Sequence, residues 1–175
     1  MTGNTNWTID PGHSELQFKI RHLAITNVTG KFKVFQGSLM SPNDDFDSAV
    51  VQAVIDAGSI DTNNPQRDTH LRSPDFLAVE QFPAMNFEGR LQKEADGYVL
   101  NGELSIREVR RPVRLTAEFA GMATGRFGDI RAGFEVTGKI NRKDFGLTWN
   151  ILAEGGGLVL ADEMNLHFDI QLIRQ

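Results

Sequence analysis

Apolar residues recur at every second position along most of this chain. Leu16, Phe18 and Ile20 alternate with Gln17, Lys19 and Arg21, and the same rhythm starts again at Val51, Met85, Leu100, Val113, Ile130 and Met164. A β-strand sends successive side chains to opposite faces, so this spacing predicts strands with one buried and one wet face. One run changes phase: Phe32 and Val34 share a face, then Phe35, Gly37 and Leu39 share the other. A β-bulge near Val34–Phe35 restores the register. The count comes to about eight antiparallel strands in a single domain over residues 1–175. Strands of this kind close into a sandwich or a barrel. A barrel of about eight strands is either filled by its own side chains or holds one small ligand.

Two further signals shape the topology. Asp96-Gly97 marks a tight hairpin. Residues 62–80 form the one helical island, a short insertion between the third and fourth strands. Asn64-Pro65 and Ser73-Pro74-Asp75 each read there as an N-cap followed by proline. In an up-and-down meander, connections 23–30, 58–83, 109–111 and 142–162 fall at one end, and 41–48, 94–96 and 122–128 at the other. The long loops gather at the first end, which is the expected mouth. Arg67, Arg72, Arg110, Arg111, Arg142 and Lys143 gather there too, with His22 and His70 nearby. The expected lumen wall is Phe18, Ile20, Phe87, Leu104, Phe119, Phe134 and Phe168. His22, Arg67, His70 and Arg142 are the expected contacts to a polar head group. Strands of about nine residues, at about 3.3 Å each, give a hollow of roughly 25–30 Å.

Composition narrows the function classes. There is no cysteine, which removes disulfides, thiolate metal sites and a cysteine nucleophile. The net charge of −5 argues against bulk nucleic-acid binding. No run of about 18 apolar residues predicts a membrane-spanning helix. The first residues lack the basic and apolar regions of a signal peptide, so a cytoplasmic location is expected, or a periplasmic one if a leader has been removed. The aromatic set is twelve Phe, two Trp and one Tyr, a supply of apolar area with few polar handles.

Candidate chemistry is thin. His13 and His22 stand nine residues apart, with no helical His pair, and no catalytic residue, metal site or cofactor is expected. Asp10 and Ser14 read as organisers of the turn at Pro11-Gly12. The stretch Asn63 to Phe76 reads either as a capped helical turn or as a lid whose Arg67 and His70 meet a head group. Arg107, Arg110, Arg111 and Arg114 read as a solvated turn, since no aromatics are interleaved. Asn43 to Asp47 reads as a polar turn, lacking the glycine and glutamate of a calcium loop. Glu154 to Leu158, "EGGGL", reads as flexible backbone over the mouth.

The segments "WTIDPGHSELQFKIRH", "VTGKFKVFQGSL", "GSIDTNNPQRDTHLRSPDFLAVEQFPAMNFEG", "LNGELSIREVRRPVRL", "INRKDFGLTWN" and "ADEMNLHFDIQL" occur in that order. Together they resemble the YceI-like family of lipid- or polyisoprenoid-binding proteins. The resemblance implies an eight-stranded antiparallel lipocalin-like barrel, a homodimer, and a long isoprenoid or fatty-acyl chain in the lumen, with no catalytic residues. The chain departs from the family near Glu108, where a glycine is usual. Two rival readings remain open. One makes His13, His22, Asp68 and His70 a hydrolytic or metal site. The other makes the barrel a filled core whose surface binds partners.

Overall fold

The computed structural model describes residues 3–42, 45–150 and 159–175. Eleven strand segments and one helix follow one another: β1 (Thr5–Ile9), β2 (Glu15–His22), β3 (Thr26–Phe32), β4 (Phe35–Ser41), β5 (Val50–Asp56), β6 (Ile60–Asp61), α1 (Pro65–Arg72), β7 (Ala84–Glu94), β8 (Gly97–Ile106), β9 (Val109–Thr124), β10 (Ile130–Asn141) and β11 (Leu160–Arg174). Three pairs of segments are single strands with a break, β1/β2, β3/β4 and β5/β6, which leaves eight strands in a closed antiparallel barrel. Consecutive strands are neighbours throughout. The ring closes where β11 pairs with β2 over Asp169↔Glu15 to Leu160↔His22 and with β1 at Leu172↔Ile9. Closure leaves the sheet no free edge.

Two of the three breaks are built alike. Asp10 Oδ1 accepts from Gly12 N at 3.0 Å, and Asp56 Oδ1 accepts from Gly58 N at 2.9 Å. Each carboxylate caps a single 3-10 turn, and each turn shifts the inward parity of its strand. Between them, the break in the β3/β4 strand lies at Lys33-Val34. It is tied to the third break by Lys33 N to Ser59 O at 3.2 Å and Asp56 N to Val34 O at 2.9 Å. A phase change is present, but one step earlier than expected: Phe32 and Phe35 both face the lumen, and Val34 does not share the face of Phe32 but turns out at 58% exposure.

The helical insertion is shorter than the sequence suggests. Asn64 caps α1, its Oδ1 accepting from Arg67 N at 3.1 Å. The second capped proline does not start a helix: Phe76 N and Ala78 N both bond back to Ser73 O, at 3.0 and 2.9 Å, and residues 74–78 run as turns. Phe76, Leu77 and Ala78 are buried there, and packing three apolar residues in succession suits a turn better than a one-sided helix.

Asp10 also locks the seam. It receives His13 Nδ1 at 2.7 Å and Arg131 Nη1 at 2.7 Å, while Arg131 reaches Gln171 and Asp129. Ser14 Oγ receives Gln171 N at 2.9 Å. Hydrogen bonds from His13 and then Arg131 hold the Asp10 carboxyl below the usual carboxylate range. A lowered folded value means that this stabilisation is full above about pH 4 and is lost as the pH falls through the folded value. Asp10→Asn is expected to cost about 1–2 kcal/mol at neutral pH. It is also expected to flatten the acid side of the stability curve. Urea unfolding at pH 7 and pH 3 checks both.

Candidate functional site

The barrel encloses a cavity of about 400 Å³. Its wall is apolar from the mouth, where Leu160, Trp149 and Leu147 stand, down to Ile9, Leu39, Leu91 and Leu172. Six residues expected in the lumen line it: Phe18, Ile20, Phe87, Leu104, Phe134 and Phe168. Gly30 makes room for one of them, because a Cβ there would sit 2.4 Å from Phe18 Cζ. Phe119 does not line the cavity and is 37% exposed. Its inward parity is right but its depth is not. It lies past the floor, against Phe46 at 5.5 Å and Phe134 at 5.3 Å between ring centroids.

That floor is the feature sequence reasoning missed. Phe46 sits in the connection between β4 and β5, read from sequence only as a polar turn, and is 1% exposed. Its ring packs on Trp7 at 5.3 Å and edge-on to Phe134 at 5.2 Å. The backbone around it is strapped under the barrel. Ser48 N and Leu91 O bond at 2.9 Å, Leu91 N and Ala49 O at 2.9 Å, and Lys93 N donates to Asp47 Oδ1 at 2.8 Å. The Tyr98 hydroxyl donates to Asp45 O. Burial, then the charges of Asp45 and Asp47, push the Tyr98 phenol up, which keeps it a donor. Phe46 holds φ at +64°, a costly conformation for a bulky residue. The hollow therefore stops short of the full strand length expected from sequence. A hint was present in the phenylalanine placed between Asp45 and Asp47, where a solvated turn has no use for one.

The mouth is not a ring of free cations. Arg67 lines the cavity, but its Nε donates to Thr62 Oγ1 and one Nη to Thr62 O, both at 2.7 Å. Asp68 is buried and accepts from Thr62 N at 2.9 Å, so the Arg67-Asp68 pair staples α1 to the strand end beside it. Arg72 donates to Gly58 O and Ile60 O. Arg142 is 2% exposed, and its guanidinium donates to Ala161 O, Leu147 O and Trp149 O at 2.9, 2.7 and 2.8 Å. Burial pulls the Arg142 guanidinium below its ordinary value, partly countered by the Asp162 carboxylate 3.7 Å away. It straps the chain crossing the mouth, and it also lines the cavity, with Nη2 buried and without a hydrogen-bond partner among the described residues. Lys143 pairs with Asp162 at 3.3 Å. Arg110 pairs with Glu103 and Glu88 on the outer wall, and Arg114 with Glu94. Arg107 folds back over the insertion, its guanidinium 5.8 Å from the Phe82 ring and donating to Phe76 O. It occupies φ +57° in the two-residue turn before β9, where glycine would sit without strain.

The two histidines do meet the lumen. His22 ends β2 and lines the cavity, and its imidazole has no hydrogen-bond or ion-pair partner among the described residues. His70 lines it too and is wedged edge-on between Trp149 at 4.6 Å and Phe76 at 5.2 Å, with Nε2 2.8 Å from Asp75 Oδ2. Trp149 and Phe76 complete an aromatic collar that sequence reasoning did not single out as a site. The hydrolytic set does not assemble: His13 lies on the outer wall with Asp10, and Asp68 is spent on Thr62. Among the described residues, the one group with metal-ligand spacing is Glu135, His167 and Asp169, side by side on the outer face. The "EGGGL" stretch lies outside the described residues.

Comparison with known proteins gives a consistent result. The model of the YceI-like domain family matches residues 7–172. A UPF0312 protein of Serratia proteamaculans (strain 568) is 39% identical over 140 residues, 79% of this chain and 73% of the relative. Among solved structures, BcnA of Burkholderia cenocepacia superposes with a TM-score of 0.78 at 17% identity, covering 93% of this chain and 98% of that one. A polyisoprenoid binding domain from Saccharophagus degradans, implicated in plant cell wall breakdown, superposes with a TM-score of 0.70 at 15% identity over 97% and 98% of the chains.

The mouth depends on Arg142. Arg142→Met is expected to leave three carbonyls without their donor, costing about 2–4 kcal/mol in urea unfolding. The same change is expected to make residues 147–150 more susceptible to limited proteolysis than in the wild type.

Proposed function

The chain belongs to the YceI-like family, and from that premise we propose that its lumen carries the long apolar tail of an amphiphile. The ligand is of polyisoprenoid, isoprenoid quinone or fatty-acyl type, held for storage, transport or stress-related isoprenoid metabolism. The observation that carries this reading is the apolar cavity of about 400 Å³, bounded at one end by Leu91, Phe134 and Leu172, with Phe46 packed beneath Phe134, and lined at the other by His22 and His70. A core filled by its own side chains would leave no such volume, since native interiors pack with few voids larger than a water. The domain from Saccharophagus degradans described as polyisoprenoid-binding shares this barrel fold.

The chemistry of the wall selects the ligand class. A tail entering the lumen gains roughly 0.8 kcal/mol for each CH₂ removed from water. At about 30 Å³ per water-sized group, the cavity takes about a dozen such groups. A longer prenyl chain fills the lumen and carries its remainder out through the mouth. At the mouth most arginine donors are engaged by backbone carbonyls and Thr62, which leaves the imidazoles of His22 and His70, with Nη2 of Arg142, to meet a head group. Imidazoles beside an aromatic collar suit a weakly polar head, such as a quinone carbonyl, phenol or amide, better than a phosphate, which calls for charge-assisted donors.

Solvent extraction of the purified protein followed by mass spectrometry is expected to return a long-chain species in near-stoichiometric amount. A lipid-free protein that also ignores added prenyl alcohols and quinones would overturn the reading. Leu104→Trp places an indole in the middle of the hollow, and it is expected to cut bound lipid about tenfold or more while the melting temperature holds within a few degrees. Phe46→Leu lowers the floor, and it is expected to shift the extracted species toward longer chains at a stability cost of about 1–2 kcal/mol.

A further inference from the structure

A cavity that loads an apolar tail has to meet the phase in which such tails dissolve. The connection between β2 and β3 is the element on the surface best suited to that. Leu23 and Ala24 hold φ at +52° and +59°, and Ile25 N bonds back to His22 O at 3.2 Å, which makes a tight turn with both central residues left-handed. Such turns favour Asn-Gly, because those residues bear positive φ with little strain and leave a polar tip. Here the strain is kept and the tip is apolar. Ile25 is 73% exposed and Leu23 41% exposed. The residue at the base of the tip is His22, which lines the cavity, so the tip stands directly at the mouth.

The outer face of the same hairpin is basic in an acidic protein. Lys19, Arg21 and Lys31 point outward and are exposed, and none has an ion-pair partner among the described residues. Across from them stand Thr29, Asn27 and Gln17 on the paired strand, and Asn165 on β11, while Asp61 on β6, in register with Lys31, is held by Lys33 at 3.8 Å. The next outward acid on β11, Glu163, is held by Lys139 at 3.5 Å. Glu108 sits in the turn between β8 and β9, across the barrel from this hairpin by strand order. Cations beside an exposed aliphatic tip combine the two forces that bring a protein to a lipid surface.

We propose that the β2–β3 hairpin docks the barrel onto an anionic lipid bilayer, with Leu23 and Ile25 dipping among the acyl chains, Lys19, Arg21 and Lys31 against the headgroup phosphates, and the mouth facing the membrane. The docking rests on this surface alone and not on the occupancy of the lumen. Among the described residues, Phe127 is another large apolar side chain at a loop tip. It is 89% exposed but lies at the closed pole, with the Arg126 guanidinium stacked 5.7 Å from its ring. It serves as the control.

The experiment is co-sedimentation of the full chain, stripped of bound lipid, with phosphatidylcholine vesicles and with phosphatidylcholine vesicles carrying phosphatidylglycerol. The wild type is expected to partition onto the second and not the first, and to be released by high salt. Lys19→Gln with Arg21→Gln is expected to weaken partitioning about tenfold or more. Ile25→Ser is expected to weaken it several-fold, while Phe127→Ser and Arg90→Gln, the latter an exposed cation on β7, leave it unchanged, all with wild-type melting curves. Equal binding to both vesicles, no binding to either, or loss on Phe127→Ser instead would overturn the proposal. So would a change of oligomeric state on Ile25→Ser, read by sedimentation velocity, since a second copy would then be what covers the tip. Lipid recovered by extraction is read separately, so a failed lumen and a failed docking surface are told apart.

Discussion

The interior exists because β11 is long enough to close the ring against two partners. Its first part pairs with β2 and its last residues with β1, although a turn at Pro11–His13 separates those two segments. A strand interrupted at a seam would ordinarily leave backbone donors facing nothing. Here Asp10 N donates to Gln171 O at 2.8 Å, Gln171 N donates to Ser14 Oγ, and the Asp10 carboxylate bridges His13 and Arg131 across the gap. The polar run Asp10-Pro-Gly-His-Ser14 is therefore the closure of the barrel. Without it the sheet has an edge, and the hollow becomes a groove open to water.

Much of this was legible in the alternation of side chains. Period two gives the strands, the phase change at Val34 gives a break, and Asp96-Gly97 gives a hairpin with Gly97 at φ +137°. Parity also put Phe18, Phe87 and Phe134 on the inside. Depth was not legible. Phe119 obeys the same parity, yet it lies beyond a floor contributed by a loop, and nothing in a strand's own spacing reports where a distant loop will fold under it. The second capped proline misled for a related reason. Local capping favours a helix at Pro74, but burying Phe76, Leu77 and Ala78 against the barrel decides the backbone there.

Charge was the other illegible layer. Arginines counted along a sequence look like a cationic rim. Folded, each of those examined at the mouth finds a carbonyl or a hydroxyl before it finds solvent, because loops crossing a pore have backbone acceptors with no strand to satisfy them. Arg142 serves three such carbonyls, and Arg67 and Arg72 serve the ends of α1 and β6. A guanidinium with several donors in a fixed fork is suited to that task, and a lysine ammonium is not. Among the described residues, Lys19, Arg21 and Lys31 on the outside of the β2–β3 hairpin are exposed cations without an ion pair, which moves electrostatic character from the lumen to the wall.

The two ends of the hollow then differ in kind. At the floor, Phe46 is held by backbone bonds to β7 and by the Tyr98 hydroxyl, so the ring cannot leave without breaking strand-edge hydrogen bonds. At the mouth, the closing parts are side-chain straps and an aromatic collar around His70, whose contacts are ring edges rather than backbone pairs. Ring contacts of this kind contribute about 0.5–1.5 kcal/mol each, whereas opening the floor leaves several buried backbone groups unpaired at about 1–3 kcal/mol apiece. Traffic therefore has one route. On the proposed reading a tail would pass the collar end-first and stop above Phe46, and its polar end would be left at the mouth by geometry, whether or not a charge waits there to receive it. Orientation of the bound molecule follows from a sealed pole, and the few polar groups at the open pole are left only the task of distinguishing one head from another.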